Sequence, residues 1–399
     1  MKIAFISYQY PPDTADGGIS TYVKQASNML QVRGNQVEVF AASRQRSGTE
    51  TQPNGVVVHR IRNEKLHTDF AKLIAQIFAN RHNEIGFDVL EGPDYWADAR
   101  LAVQLVPEIP LVVKLHTPDV LSRQLVKFNL RKALRRKLDF YIGGINLFVD
   151  MEGVHALAAD EIAAPSQSIA DKLIKLWGLE PEKVHIFPLP YSPSAESLTI
   201  PLNTLTNTVS FIGTLEIRKG VIDLAKAIPL ILAKQPQTKF RFVGAFAASP
   251  NPKQNMFEYL QDLLQPYLKS IEFTGKLPPE QIPSALSATD ICVFPSLWES
   301  FGYVCLEAMA AGRAIVGSSA GGMAEMLNSD KVGRLVPPKS PEKIAQAVLE
   351  LLTAPQLRQQ LGYAARARVI EQYNIERIGS LQEASYNRAI AYKKAKGLS

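Results

Sequence analysis

The chain has 399 residues and a net charge of +6, from 44 Lys and Arg against 38 Asp and Glu, with 46% hydrophobic and 21% charged residues. This composition excludes a disordered or collagen-like chain, and the length favours two domains, because single cores stop growing near about 250–300 residues. No run approaches the roughly 18 apolar residues of a membrane-spanning helix. The positive excess lies entirely in residues 200–399, where 22 basic side chains stand against 16 acidic ones. This bias suits an anionic ligand but is too weak to indicate nucleic-acid binding.

Two features bear on the cellular compartment. The apolar start, Ile3–Ile6, is too short for the core of a signal peptide. The two cysteines, Cys292 and Cys305, both lie in apolar runs and are interpreted as buried free thiols of a reducing compartment. We therefore expect a cytoplasmic protein, or one that is peripheral to the inner face of the membrane.

Short β-rich runs alternate with helical patterns along the whole chain, which predicts an α/β protein with parallel sheets. The predicted strands of the first half are Lys2–Ser7, Gln36–Ala42, Val56–Ile61, Phe87–Glu91, Leu111–His116 and Glu161–Ser166. Those of the second half are Thr208–Thr214, Lys239–Gly244, Ile271–Gly275, Ile291–Ser296, Ala314–Ser319 and Arg334–Pro337. Each half is thus predicted to be a doubly wound, Rossmann-like domain. Such domains bind ligands beyond the carboxyl ends of their strands, and two facing domains would leave a cleft between them.

The stretch Pro188–Asn207 is rich in Pro, Ser, Thr and Asn and shows no hydrophobic period, so it is the best linker. We predict an N-terminal domain over residues 1–190, a linker over 191–207 and a C-terminal domain over 208–377. The final helical pattern, over 378–399, could belong to either domain.

Two sites in the first half follow predicted strands. Gly17 and Gly18 come after the first strand and open a helix, where glycines allow close approach of a ligand to free N–H groups. An ordinary tight turn explains them nearly as well. His116 closes the fifth strand and would point toward a cleft, although a lone histidine is more often structural.

A basic segment follows His116. Residues 123–137 contain seven cations and no acid, and their leucines and Phe128 fall along one helical stripe. Basic amphipathic helices favour anionic lipid surfaces, while a solvated helix face is the equally weighted alternative. The residues that would contact a membrane or an acceptor are Arg123, Lys127, Phe128, Arg131, Lys132, Arg135 and Arg136.

In the second half, Arg218 and Lys219 lie between a predicted strand and a helix that begins near Val221. Two cations at the N-terminus of a helix are repelled by the positive end of the helix dipole. This repulsion costs a few tenths to about 1 kcal/mol of stability. A strong anion bound at this position would account for them, since Arg binds phosphate through two parallel hydrogen bonds and Lys acts as a point charge. A solvated surface pair is the alternative.

Glu299 and Glu307 are separated by seven residues, and Glu307 lies in a helical run that is apolar nearly all round. A buried carboxylate is costly unless donors satisfy it. Two vicinal sugar hydroxyls would supply such donors, and a structural pair with Arg313 is the alternative. Phe301 and Gly302 precede this helix, so their N–H groups are among its free donors.

Several motifs are absent from the sequence. It contains no Gly-x-Gly-x-x-Gly dinucleotide fingerprint and no P-loop, and no Asp-x-Asp of the kind that holds a nucleotide sugar through a metal. The histidines show no ligand spacing. We therefore predict no metal site and no cofactor.

These residues together resemble the retaining glycosyltransferases of family 4, the GT-B group that includes sucrose-phosphate synthase-like and phosphatidylinositol mannosyltransferase-like enzymes. The resemblance covers nearly the whole chain and is strongest in residues 294–302 and 307–312. It implies two facing Rossmann-like domains, with the final helix crossing back to the first. It also implies a retaining, metal-independent transfer of a hexose from a nucleoside-diphosphate sugar, with UDP favoured on family frequency alone.

The resemblance further implies a role for each matching residue. Arg218 and Lys219 would hold the diphosphate, Glu307 the ribose hydroxyls, and Glu299 the donor sugar. His116 would face the reacting sugar, so that His116, Arg218, Lys219 and Glu299 form the predicted catalytic set. The other predicted donor-binding residues are Gly17, Gly18, Gly213, Val243, Gly275, Lys276, Phe301, Gly302 and Tyr303.

The sequence thus predicts a glycosyltransferase of glycan, polysaccharide or glycolipid assembly. Its expected partners are the nucleotide sugar, a glycan or lipid-linked acceptor and an anionic membrane surface, without nucleic acid. Two alternatives stay open. One is a GT-B-like nucleotide-sugar epimerase or hydrolase, and the other is a non-catalytic nucleotide-sugar-binding protein that docks to membranes.

Overall fold

The structure is a computed structural model. It describes residues 1–14, 17–63, 67–125, 150–328 and 331–397. The strands are β1 (Lys2–Ser7), β2 (Gln36–Ser43), β3 (Gly48–Thr51), β4 (Val57–Arg62), β5 (Val89–Pro93), β6 (Leu111–Lys114), β7 (Glu161–Ala164), β8 (Val184–Ile186), β9 (Thr208–Ile212), β10 (Lys239–Val243), β11 (Ile271–Gly275), β12 (Ile291–Phe294), β13 (Ala314–Ser318) and β14 (Arg334–Val336).

The α-helices of the described residues alternate with these strands. They are α1 (Gly18–Val32), α2 (His67–Ile85), α3 (Arg100–Leu105), α4 (Asp119–Leu125), α5 (Met151–Leu157), α6 (Gln167–Trp177), α7 (Ala195–Thr199), α8 (Val221–Leu232), α9 (Met256–Leu263), α10 (Ile282–Ser287), α11 (Tyr303–Ala310), α12 (Gly322–Leu327), α13 (Pro341–Thr353), α14 (Pro355–Gln372) and α15 (Ile375–Ala395). None of these described helices is both long and apolar enough to span a bilayer.

The chain forms two compact units. Unit 1 comprises Met1–Pro190 together with Ile375–Ser399, and unit 2 comprises Tyr191–Asn374. The predicted linker, residues 191–207, contains the short helix α7. All of it belongs to unit 2.

Unit 1 is built on an eight-stranded sheet in the order β3-β4-β2-β1-β5-β6-β7-β8, parallel except for the antiparallel pair of β3 with β4. Strand β1 lies in the middle, where Ile3 pairs with Val37 on one side and with Val89 on the other. The strand order therefore reverses between β1 and β5. Ligands of open parallel sheets bind at such a reversal, beyond the carboxyl ends of the strands.

Helix α1 shows why these segments form amphipathic layers. Its apolar positions recur at helical spacing, and Tyr22, Val23, Ala26, Met29 and Leu30 are all buried. Helix α6 has defined ends as well, because the Ser166 side chain accepts from Ile169 N–H and Gly178 takes the left-handed conformation at its carboxyl end.

Helix α15 completes unit 1. Gln382 and Tyr386 both hydrogen-bond the buried Glu91 carboxylate of β5, at 3.0 and 2.8 Å, and the Tyr22 hydroxyl of α1 donates to the same group at 2.6 Å. One buried carboxylate thus ties a central strand, the first helix and the last helix together.

Unit 2 has a six-stranded, wholly parallel sheet in the order β11-β10-β9-β12-β13-β14, so its strand order reverses between β9 and β12. One hydrophobic core lies between the sheet and helices α8 and α13, with members such as Phe240, Ile228 and Val348. The predicted fold, an α/β protein with two parallel-sheet domains, is confirmed. The strands β3 and β8 were not predicted, and His116 lies two residues beyond the end of β6 rather than within the strand.

Candidate active site

The reversal point of unit 2 joins two loops. The loop after β12 is tied to the turn after β9, because the Leu297 N–H donates to the Arg218 carbonyl at 2.8 Å. Gly220 has a φ of +72°, and a Cβ there would lie 1.9 Å from the Pro295 carbonyl oxygen. Only glycine permits this approach, so the sequence Arg-Lys-Gly brings its two cations against the loop that carries Glu299.

Arg218, Lys219 and Glu299 form one charged cluster at this point. The Arg218 guanidinium donates to Glu299 at 3.4 Å and to Glu216 at 2.7 Å, and the Lys219 ammonium pairs with the other oxygen of Glu299. Burial by itself would raise the pKa of Glu299, but attraction by Lys219 and Arg218 outweighs it and lowers that pKa. Glu299 is therefore an anion at neutral pH and holds both cations in place.

A second glycine loop fixes the backbone of Glu299. Gly322 N–H donates to the Glu299 carbonyl at 2.8 Å, and a Cβ on Gly321 would lie 2.1 Å from the same oxygen. The loop after β13 thus packs directly on the loop after β12. Its glycines, at residues 321 and 322, belong to the same edge of the sheet as the charged cluster.

Helix α11 starts at Tyr303, directly after Phe301 and Gly302, and Gly302 has a φ of +141°. It carries Glu307, whose pKa burial raises to about 7. Within the described part of the chain, no hydrogen bond or ion pair reaches this carboxylate. Tyr191 and Tyr303, with ring centroids 6.4 Å apart, lie close enough that the charge of Glu307 raises their pKa values, after burial itself.

Arg313 does not satisfy Glu307. Its fully buried guanidinium donates to the backbone carbonyls of Ala311 and Thr289, at 3.0 and 2.9 Å, and to the Thr204 hydroxyl at 2.8 Å. The alternative of a structural pair between Glu307 and Arg313 is therefore wrong. A half-buried carboxylate without a donor among the described residues is available to a ligand that brings hydroxyl groups.

Four of the predicted donor-binding residues lie along the same sheet edge. Gly213 N–H donates to the Val243 carbonyl at 2.8 Å, and Gly244 N–H donates to the Gly275 carbonyl at 2.9 Å. Lys276 follows on the surface. The structure thus places Gly213, Val243, Gly275 and Lys276 side by side at the carboxyl ends of β9, β10 and β11.

In unit 1, Gly17 and Gly18 lie at the start of α1. Gly17 has a φ of +126°, and no atom of the described residues lies within 4 Å of a Cβ built on either glycine. The Gly17 carbonyl accepts from the Ser20 hydroxyl at 2.9 Å. These glycines therefore border open space at the carboxyl end of β1, beside the reversal point.

His116 is buried beyond the end of β6. Its backbone N–H donates to Asp94 Oδ1 at 2.9 Å, its ring lies edge-on to Tyr22 at 5.5 Å, and its Nε2 has no partner in the described residues. Burial, with the nearby charge of Lys114, lowers the pKa of His116 to about 3. The imidazole is thus neutral at physiological pH and can exchange one hydrogen bond through Nε2.

The sequence argument missed the turn after β5. Trp96 and Ala97 have φ values of 63° and 52°, a left-handed conformation that costs roughly 1–2 kcal/mol for each residue. The signal was available in the sequence, since Asp94, Tyr95 and Trp96 come within five residues of the end of the predicted strand Phe87–Glu91 and are chemically suited to a ligand.

The basic segment is only partly described. Arg123 lies at the end of α4 and forms an ion pair with Asp119. Lys127, Phe128, Arg131, Lys132, Arg135 and Arg136 lie outside the described residues. Among the residues that the structure does describe, no group of three His, Cys, Asp or Glu side chains is placed to hold a metal ion.

Two family models match the chain. The model of glycosyltransferase family 4 matches residues 16–194, and the model of glycosyl transferases group 1 matches residues 199–368. Together they account for most of units 1 and 2.

Individual proteins are also similar along their full length. A glycosyltransferase of Methanocaldococcus jannaschii is 24% identical over 95% of the chain and 96% of its own length. A D-inositol 3-phosphate glycosyltransferase of Corynebacterium jeikeium is 27% identical over 91% of each. Among solved structures, a sucrose-phosphate synthase from Thermosynechococcus elongatus has a TM-score of 0.77 at 23% identity, covering 98% of this chain and 99% of that one. Anabaena HepE, crystallised with UDP and glucose, has a TM-score of 0.70 at 18% identity, covering 97% and 99%.

Proposed function

The chain belongs to glycosyltransferase family 4 and has the GT-B fold, and we propose that it transfers a hexose from a nucleoside-diphosphate sugar to an acceptor hydroxyl with retention of configuration. The observation that carries this proposal is the cluster of Arg218, Lys219 and Glu299 at the reversal point of unit 2.

Cleavage of the anomeric C–O bond leaves negative charge on the departing diphosphate. Arg218 and Lys219 together offer more N–H donors than Glu299 and Glu216 use. Positioned cations of this kind are worth several kcal/mol to a transition state that develops negative charge. They can perform this task with the chain's own side chains, which supports metal-independent transfer.

Glu307 and the strand ends supply the rest of the donor site. The Glu307 carboxylate would accept two hydrogen bonds from the ribose hydroxyls, which would satisfy a half-buried group that has no donor among the described residues. The base would contact backbone near Val243 and Gly275. We favour UDP, and the similarity to Anabaena HepE, whose structures contain UDP and UDP-glucose, supports this choice.

In unit 1, the neutral His116 would contact the reacting sugar, and the Gly17–Gly18 loop would border the diphosphate and the acceptor. No side chain of the described site stands out as a nucleophile, which favours attack on the same face as the leaving group. In that route the donor phosphate helps to deprotonate the acceptor hydroxyl. The acceptor would be a growing glycan, polysaccharide or glycolipid. The enzyme would act in the cytoplasm or at the inner face of the membrane, which residues 123–137 would contact.

Two other functions would use the same site. A GT-B-like epimerase or hydrolase would consume the donor at full speed without an acceptor. A binding protein without activity would retain the nucleotide and dock to anionic vesicles. The intact set of Arg218, Lys219, Glu299, Glu307 and His116 favours catalysis over both.

The test is thermal unfolding with UDP, GDP, ADP and NAD, each in the presence of EDTA. A ligand at about 100 times its Kd adds roughly 2.7 kcal/mol to the unfolding free energy, which is easily measured. We expect one nucleoside diphosphate to stabilise the protein and NAD to have no effect. If none stabilises it, the donor site is absent and the proposal fails. Transfer to a sugar acceptor with EDTA present then tests the metal-independent reaction.

A further inference from the structure

The segment after β10 presents an aromatic side chain at the carboxyl edge of the unit 2 sheet. Phe246 follows Gly244 by two residues, and 37% of its surface is exposed. Phenylalanine is among the residues most often buried in folded proteins. This exposed ring comes directly after the strand end near which the proposed function puts the nucleobase, so it is placed to reach a ligand there.

The backbone on both sides of Phe246 is fixed. Leu215 N–H donates to the Ala245 carbonyl at 2.8 Å, and Ala247 N–H donates to the Leu215 carbonyl at 3.0 Å. Phe246 and Leu215 are thus partners in a parallel bridge beyond the ends of β9 and β10. Leu215 lies three residues before Arg218, so the position of Phe246 is tied to the turn that carries the two cations.

Other aromatic rings support one side of the Phe246 ring. Phe257 of α9 lies against it, with centroids 5.0 Å apart and ring planes inclined by 30°. Phe257 packs edge-on against Phe273 of β11 at 5.2 Å, and Phe273 stacks on Phe242 of β10 at 5.1 Å. The exposed ring is therefore the outer end of a row of rings that reaches the core of unit 2. Such a ring has little freedom to lose when a ligand binds.

The strand ends beside Phe246 are closely packed and carry glycines. Gly244 has a φ of +148°, and a Cβ there would lie 1.9 Å from the Gly213 carbonyl oxygen. Gly244 N–H donates to the Gly275 carbonyl at 2.9 Å. Because none of these three residues has a side chain, backbone groups form this edge of the sheet. A backbone surface next to an aromatic ring suits a planar ligand with polar groups along its rim.

We propose that the nucleobase of the donor stacks on the open face of Phe246 while its polar rim bonds the backbone near Val243 and Gly275. This inference rests on the proposed function, and it adds a side-chain contact to a base site formed by backbone groups. Every nucleobase has a π-face, so stacking on an aromatic ring adds affinity for all of them. The choice among bases would then stay with the backbone groups.

The first experiment separates the base from the diphosphate. UDP, GDP, ADP and inorganic pyrophosphate are titrated by calorimetry into the wild type and into Phe246→Ala. We expect the Kd of each nucleotide that binds to rise about tenfold in Phe246→Ala, which corresponds to roughly 1.4 kcal/mol. The Kd of pyrophosphate, which has no base, should stay the same.

Two further variants serve as controls. Phe246→Tyr keeps an aromatic ring at this position and should bind nucleotides as the wild type does. Tyr363→Ala removes a ring that is 68% exposed on α14 and should change no Kd.

The second experiment observes the stacking directly. A base stacked on an indole quenches its fluorescence, and Phe246→Trp introduces an indole at the proposed site. We expect the nucleoside diphosphate that stabilises the wild type to lower the emission of Phe246→Trp by more than it lowers that of the wild type. The three native tryptophans, present in both proteins, supply the background. Pyrophosphate should produce no such difference.

The outcomes separate this inference from the proposed function. If a nucleoside diphosphate stabilises the wild type and binds Phe246→Ala with an unchanged Kd, the stacking site is refuted and the glycosyltransferase proposal stands. An equal loss of affinity for the nucleotide and for pyrophosphate also refutes it, since Phe246 would then act through the fold of the diphosphate site. The absence of extra quenching in Phe246→Trp refutes it as well. If no nucleoside diphosphate binds the wild type, both proposals fail.

Discussion

The Lys219 ammonium and the Glu299 carboxylate form an ion pair between two loops that lie 80 positions apart in the sequence. Arg218 joins the pair from the same turn. Because Glu299 is buried, its negative charge is stabilised by these two cations, which lower its pKa. The cations that would bind a diphosphate are thus positioned by a carboxylate that would itself contact the donor sugar. Loss of any one member leaves the others incompletely paired.

The first prediction concerns Lys219→Ala. Removing the ammonium leaves Glu299 with Arg218 at 3.4 Å as its remaining cationic partner among the described residues. We expect stabilisation by a nucleoside diphosphate to disappear, and the transfer rate to fall by roughly 10²–10³. The unfolding free energy should fall by about 1–3 kcal/mol, since a buried charge loses one partner. Thermal unfolding and initial rates measure both effects.

Lys226→Ala is the matched control, because Lys226 is exposed on α8, seven residues after Lys219. It should leave binding and rate unchanged. The double variant Lys219→Ala with Glu299→Gln should lose less stability than the sum of the two single losses, as expected for paired residues. Strict additivity would show that the pair contributes nothing.

The second prediction uses the pKa of Glu307, which burial raises to about 7. The folded protein holds this proton up to about pH 7, whereas the unfolded chain releases it near pH 4.5. The stabilising contribution of this group is therefore fully present below pH 4.5 and is lost as the pH rises through 7. Glu307→Gln should differ least from the wild type at pH 5 and be clearly more stable at pH 8, yet it should lose nucleotide binding.

The difference between the two stability curves isolates Glu307 from other groups such as Glu152, whose pKa is also about 7. Urea unfolding at several pH values between 5 and 8 measures it. Glu371→Gln, at an exposed position of α14, should follow the wild type throughout. Parallel curves for Glu307→Gln and the wild type would contradict the raised pKa.

The third prediction compares two glycines that share a left-handed backbone. Gly178, with a φ of +67°, has no atom of the described residues within 4 Å of a built Cβ, whereas at Gly220 the Pro295 carbonyl oxygen lies 1.9 Å away. Gly178→Ala should cost about 1 kcal/mol from backbone strain alone. Gly220→Ala should cost more, because the loop after β12 must move. Only Gly220→Ala should weaken nucleotide binding, and equal losses in both assays would refute the role of this close approach.

The fourth prediction uses the two cysteines as reporters. Both are fully buried, and burial raises the pKa of each thiol, that of Cys292 to about 12. We expect neither to react with a thiol reagent at pH 8 until the protein opens locally or unfolds. Cys305 lies on α11, and the charge of Glu299 acts on its thiol, so a nucleoside diphosphate bound at the Glu299 cluster should slow its labelling further. Fast labelling of the native protein would show that α11 is not packed as described.

The fold followed from local patterns, because alternating strands and amphipathic helices are encoded over a few residues. The short edge strands β3 and β8 escaped prediction, since Gly48–Thr51 is exposed and polar and Val184–Ile186 has only three residues. That Glu307 has no donor or cation among the described residues could be suspected from the apolar sequence of its helix. The pairing of Lys219 with Glu299 could not, since it depends on how two distant loops meet. The polar and aromatic run Asp94, Tyr95 and Trp96 was visible in the sequence, whereas the left-handed backbone of Trp96 and the absence of a described partner for Asp94 Oδ2 appear only in the structure.

The division of unit 1 between the two ends of the chain has a consequence for protein synthesis. The Glu91 carboxylate receives hydrogen bonds from Gln382 and Tyr386, which leave the ribosome almost 300 residues after it. Along the sequence, unit 2 is inserted between the two parts of unit 1, and the ends of unit 2 are held together where Tyr191 N–H donates to the Tyr373 carbonyl at 3.2 Å. The inserted unit can therefore fold first. The unit that began emerging earlier stays incomplete until the last helix arrives, and during that interval a chaperone would find its unfinished core accessible.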